Sequence, residues 1–153
     1  MAGSPSSPQA ASRTRISIAA VVLEVFLGLG ALGGGLALML GPRGEIIPLP
    51  ISLLNGSIFP SYFIPGLILF IALGVCPFVV AYLAWNRHPL APVLSLGVGG
   101  ALLIWMTVEI LIVGYSDTPP LQPLYIGLGV AISIVGVVWI LRGRRSREVS
   151  GRS

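Results

Sequence analysis

Four apolar stretches, Ile16 to Leu40, Tyr62 to Trp85, Leu90 to Tyr115 and Leu121 to Leu141, occupy most of this chain. Each reaches the roughly 20 helical residues, at about 1.5 Å apiece, that a hydrocarbon core about 30 Å thick demands. Backbone polar groups in lipid must bond within a helix or around a closed barrel. None of the four runs alternates with a period of two, so helices are favoured over strands. With 55% hydrophobic and 9% charged residues over 153 positions, polar surface is too scarce for a soluble globule and apolar surface too abundant for disorder. The sequence therefore specifies an all-α fold, a polytopic transmembrane bundle of four helices with an apolar outer loop between helices 1 and 2.

Orientation follows from arginine, which supplies all nine basic residues. Arg13 and Arg15 precede helix 1, Arg87 lies between helices 2 and 3, and Arg142, Arg144, Arg145, Arg147 and Arg152 follow helix 4. Arg43 alone falls in a loop of the opposite set, so the positive-inside rule places both termini in the cytoplasm. The expected organisation is a disordered N-terminal tail over 1–15, a transmembrane domain over 16–141 and a basic C-terminal tail over 142–153. In a chain this hydrophobic the basic tail is topogenic, with weak attraction to anionic lipid, and nucleic acid is not an expected partner. The all-arginine, Ala/Gly-rich composition points to a bacterial cytoplasmic membrane, and the first run is too long, and too poor in cleavage signals, for a signal peptide.

Motif by motif, enzyme chemistry finds little support. Gly28-x-Gly30-x-x-Gly33 spells a dinucleotide fingerprint, but that motif needs a preceding strand and an acid about 20 residues on. Glycines at this density in a spanning helix read instead as sites of close helix packing. His88 stands without a second nitrogen or thiolate ligand nearby in sequence, and Cys76 reads as a packing residue beside Pro77. No cofactor, no metal and no catalytic residue is expected. Pro77 should bend helix 2, and Tyr62, Tyr115 and Tyr125 on one side with Tyr82, Trp85 and Trp139 on the other mark the interfaces. Between Gly41 and Ser61 the loop is apolar, carries Pro48 and Pro50, and should lie over the bundle with one short helical turn near Ile51 to Asn55.

Glu24 and Glu109 are the functional candidates, because a carboxylate in the hydrocarbon zone costs about 2.5 to 3.5 kcal/mol on insertion scales and requires a partner, water or a proton. Helical spacing from Glu24 gives Ser17, Ala20, Gly28, Ala31 and Gly35, a stripe of small residues that turns Glu24 toward another helix. Glu109 lies near the outer end of helix 3, within reach of a long side chain from the outer loop, and an Arg43 to Glu109 pair is the expected arrangement. The bland reading of both acids is that they fix helix register.

From Pro65-Gly66-Leu67-Ile68-Leu69-Phe70 through Trp105-x-x-Val108-Glu109-Ile110, Gly114-Tyr115 and Leu121-Gln122-Pro123-Leu124-Tyr125, the chain resembles small four-helix integral membrane proteins of GC-rich bacteria, a group with no assigned activity. That resemblance covers about residues 20 to 140, and it implies that Glu109, Gln122 and Tyr125 belong to one outer polar cluster. A glutamate in the first of four short helices is also similar to small multidrug-resistance transporters, whose helix-1 glutamate exchanges protons for a cationic drug. The likeness rests on Glu24-Val25 followed by Gly28, with spacing off by one, and the long loop and basic tail depart from that pattern. The expected function is that of a non-enzymatic membrane component. Its partners are the lipid bilayer and a second copy or another membrane protein. The alternative is a small proton-coupled transporter or channel using Glu24 and, with it, Glu109.

Overall fold

The computed structural model describes the backbone of residues 8–115 and 120–150, with side chains from 15 to 115 and from 120 to 144. Helix is the regular structure throughout, and no strand occurs among the described residues. Four helices, α1 (Pro8–Leu40), α2 (Phe63–Trp85), α3 (Ala91–Val113) and α4 (Leu121–Ser150), run up and down the bundle. Each contains a segment long and apolar enough to cross a bilayer, namely Arg15–Leu40, Phe63–Trp85, Ala91–Val113 and Leu121–Arg144. The fold is that of a multi-pass membrane protein.

Helix extends into both of the regions expected as tails. α1 begins at Pro8, and α4 continues to Ser150. Pro8 suits a first turn, where its missing N–H has no helical partner to lose, and Ala10 and Ala11 are strong helix formers. The arginines after Leu141 are themselves good helix formers and place positive charge at the negative end of the α4 dipole. Residues 1–7 and 151–153, which the expected tails include, lie outside the described residues.

Within α2 the segment Leu69–Val75 is wound as π-helix, and the Cys76 N–H donates to the Ile71 carbonyl, five residues back. Proline has no N–H to give, so an α-helical register through Pro77 would strand a carbonyl and crowd the ring against it. The wider π turns upstream let Pro77 enter at the start of the following α segment, where it is buried. Cys76 faces outward, so it packs against the surroundings of the bundle instead of its core.

Two hairpins make up the bundle. α1 lies along α2 and α3 along α4, and glycines set the separation in both pairs. A Cβ on Gly35 would meet the Gly66 carbonyl oxygen at 2.8 Å, and one on Gly66 would meet the Gly35 carbonyl oxygen at 2.9 Å, so here the backbones of α1 and α2 touch directly. In the second hairpin a Cβ on Gly99 would lie 2.8 Å from the Ser133 nitrogen, and one on Gly136 would lie 2.9 Å from the Leu96 nitrogen. Lipid offers no hydrophobic drive for helices to associate, so close van der Waals approach of this kind carries the packing. Between hairpins α1 also packs on α4 and α2 on α3, which leaves α1 and α3 diagonal across the bundle axis. Leu27, Leu73, Leu102 and Ile132, one from each helix, fill the centre.

Residues 41 to 62 cover the end of the bundle away from the termini. Tyr62 fastens this lid twice: its N–H donates to the Pro42 carbonyl at 2.9 Å and its hydroxyl to the Pro50 carbonyl at 3.0 Å. A 3-10 turn, Ile51–Leu54, buries Leu54 beside Leu38 and Tyr62, with Ile47, Leu49, Leu69 and Ile112 around them. Tyr62, expected at the interface, is thus 3% exposed beneath the lid, whereas Tyr82, Trp85 and Tyr115 do face outward.

Candidate functional site

Glu24 lies in the first half of the spanning segment Arg15–Leu40 of α1, the half nearer the termini, and is fully buried, at 0% exposure. Its Oε1 accepts a hydrogen bond of 2.6 Å from the Ser95 hydroxyl, and Ser95 is likewise 0% exposed. Ser95 sits one turn into α3, where a serine hydroxyl commonly turns back to the carbonyl four residues earlier. Instead it crosses the axis to the diagonal helix. Small side chains permit this reach: Ala20 of α1, Ala84 of α2 and Ala91 of α3 form a buried cluster at this end, walled by Val21, Leu83, Val135 and Trp139. The other carboxyl oxygen, Oε2, is buried with no hydrogen-bond partner among the described residues.

The stripe that carries Glu24 is buried along its whole length, with Ser17, Ala20, Gly28, Ala31 and Gly35 all inside. Its upper part faces α2, where a Cβ on Gly28 would meet the Phe78 ring at 2.6 Å and the Gly74 carbonyl at 3.1 Å. Glu24 is set between this glycine seam above and the alanine cluster below. Side-chain size along one face of α1 thus determines which neighbour the acid can reach.

A second polar group lies beneath the lid. Glu109, near the end of α3, accepts from Trp105 Nε1 at 3.2 Å through Oε2 and from Gln122 Nε2 at 3.4 Å through Oε1. Gln122 also donates to the Gly114 carbonyl at 3.0 Å, which ties the first turn of α4 to the end of α3. Gly114 ends α3 with φ of 89°, a backbone conformation that L side chains rarely adopt, and so turns its carbonyl toward Gln122. Tyr125, one turn along α4, is half-buried, and its hydroxyl occupies the space left by the absent Cβ of Gly30.

Arg43 stands apart from this group, contrary to the expected pair. It is exposed, its backbone N–H donates to Glu45 Oε2 at 2.8 Å, and no ion pair joins it to Glu109 among the described residues. Glu45, two residues on, captures the turn locally, while Trp105, one turn back on α3, and Gln122 of α4 take the oxygens of Glu109. Ser95 and Trp105 are the partners that reading the acids alone does not supply. Depth could have found Ser95, since it is the hydroxyl on α3 nearest the level of Glu24. Trp105 lies four residues before Glu109, on the same helix face.

Among the described residues no group of three or more His, Cys, Asp or Glu could hold a metal ion. In comparison with known proteins, the chain matches no family model, no curated protein and no solved structure.

Proposed function

We propose that this chain is a non-enzymatic component of a bacterial cytoplasmic membrane, a compact helical bundle that lies among lipid and docks a second copy of itself or another membrane protein, as a member of the small four-helix proteins it resembles. The observation that carries this reading is the use of the acids inside the bundle. Glu24 is bonded to Ser95, and Glu109 to Trp105 and Gln122, so each acid joins one helix to another or braces a helix end. Orientation rests on charge: the positions of Arg13, Arg15, Arg87, Arg142, Arg144, Arg145 and Arg147 all fall at the end of the bundle that bears the described chain ends, and Arg43 at the lid end. The positive-inside rule then makes the termini cytoplasmic.

A second reading, a small proton-coupled transporter or channel, is favoured by one observation, the unpartnered Oε2 of Glu24. Flux separates the two. Protein reconstituted in liposomes under a pH gradient should show no more flux than empty liposomes, with Glu24→Gln indistinguishable from wild type. A wild-type flux that Glu24→Gln abolishes overturns the scaffold reading in favour of transport.

A further inference from the structure

The two oxygens of Glu24 have different surroundings. Oε1 accepts from Ser95, and Oε2, equally enclosed, meets no donor. A carboxylate placed here holds a full negative charge against one hydroxyl, whereas a neutral carboxyl accepts at Oε1 and carries its hydrogen on Oε2, where an unpaired hydroxyl costs far less than an unpaired charge. Ionised groups without a cation or a full set of donors are poorly accommodated in apolar surroundings, and a polar network left half satisfied is the more sensitive for it.

Among the described residues no cation is bonded to either oxygen. On α1, Arg15 lies nine residues away toward the terminus; on α2, Cys76 and Tyr82 are exposed on the outer face; on α3, Glu109 is at the far end; on α4, Tyr125 is at the lid end and Arg142 and Arg144 lie beyond the apolar run. Arg87 and His88 occupy the α2 to α3 turn. None of these forms an ion pair with Glu24 among the described residues.

The position of the bond gives its state a structural consequence. Contacts within each hairpin rest on glycine seams in which backbone meets backbone, as at Gly35 with Gly66 and at Gly99 with Ser133. The Glu24 to Ser95 bond belongs to neither seam, because it joins the first hairpin to the second across the axis. A change of charge at Glu24 therefore acts on the contact between hairpins and leaves each hairpin intact.

We propose that Glu24 binds one exchangeable proton at Oε2 and that this proton acts as a clasp, holding the α1–α2 hairpin against the α3–α4 hairpin. When the proton passes to water, the hairpins part and water enters to solvate the carboxylate. Closed, the bundle binds the proton more tightly than open, so rising pH favours the open form.

Infrared spectroscopy of the full chain in lipid vesicles, swept from about pH 5 to about pH 9, reads the proton through the carbonyl stretch of a neutral carboxylic acid. The expected result is a band that fades as pH rises, is missing in Glu24→Gln and is retained in Glu109→Gln. Ser95→Ala keeps the acid but removes its donor, and should move the midpoint of the fading. In a Cys76→Ala background, spin labels at Ile18 of α1 and Val93 of α3 should separate by about 2 Å or more at alkaline pH, the scale of a helix shift. With Glu24→Gln that distance should not respond to pH. A band absent at every pH, a midpoint indifferent to Ser95→Ala, or a band that titrates while the labels stay at one distance would each overturn the clasp.

Discussion

Gly35 and Gly66 face each other so closely that each stands where the other's side chain would begin: the Gly66 carbonyl oxygen lies 2.8 Å from the Cβ position of Gly35, and the Gly35 carbonyl oxygen 2.9 Å from that of Gly66. Neither obstacle is a movable side chain. Gly35→Ala must therefore push α1 and α2 apart, and we expect a loss of about 1 to 3 kcal/mol of stability, the usual range for overpacking. Gly33, with open space around its Cβ position, is the control, and Gly33→Ala should be neutral or slightly stabilising. Thermal unfolding in detergent compares the two. Equal effects at both positions would show that the seam does not set the packing.

Tyr62 couples the lid to the bundle, and its phenol offers a handle in pH. Burial raises the Tyr62 phenol above its ordinary value of 10.0. The neutral form is the one that fits, so its contribution is present in full below that ordinary value and is lost as pH rises through the folded-state value. We expect the lid to loosen in strongly alkaline solution, and Tyr62→Phe to remove one late-titrating phenol from the tyrosinate absorbance curve. At neutral pH the same substitution leaves the Pro50 carbonyl without its donor and should cost about 1 kcal/mol. Faster amide exchange at Leu53 and Leu54 is the local readout.

At the lid end, Glu109 should couple to Trp105 and not to Arg43. In double-mutant cycles on thermal stability, Glu109→Gln with Trp105→Phe should depart from additivity by about 0.5 to 1.5 kcal/mol. Arg43→Gln with Glu109→Gln should be additive, since the two side chains form no ion pair. Coupling of Arg43 with Glu109 comparable to that of Trp105 would restore a direct pair.

The architecture was legible because lipid leaves the backbone few choices: apolar length gives the number of spans, and an even number of spans returns the chain to the end of the bundle where it began. The buried stripe through Glu24 followed from helical spacing alone. Particular partners were harder. Arg43 and Glu109 share a membrane boundary and carry opposite charge, so sequence favours pairing them. The structure instead satisfies Arg43's turn with Glu45, two residues away, and Glu109 with Trp105, one turn back on its own helix, and with Gln122, a contact fixed by rotation and offset between α3 and α4. The π segment of α2 was hidden for a related reason. Pro77 announces a broken ladder, but whether the helix kinks or widens depends on how Gly28 and Gly35 of α1 bring the facing surface close.

The tie between Glu24 and Ser95 is the centre of this account, and a double-mutant cycle tests it most directly. Ser95→Ala alone leaves a buried carboxyl without a donor and should cost about 1 to 3 kcal/mol. Glu24→Leu alone leaves a hydroxyl that can turn to its own helix carbonyl, at smaller cost. Combined, the two changes remove both polar partners, and the double variant should recover a coupling of about 1 to 2 kcal/mol in equilibrium unfolding. Additivity within about 0.5 kcal/mol would contradict the account, because it would mean that the two hairpins are held together without the bond across the axis.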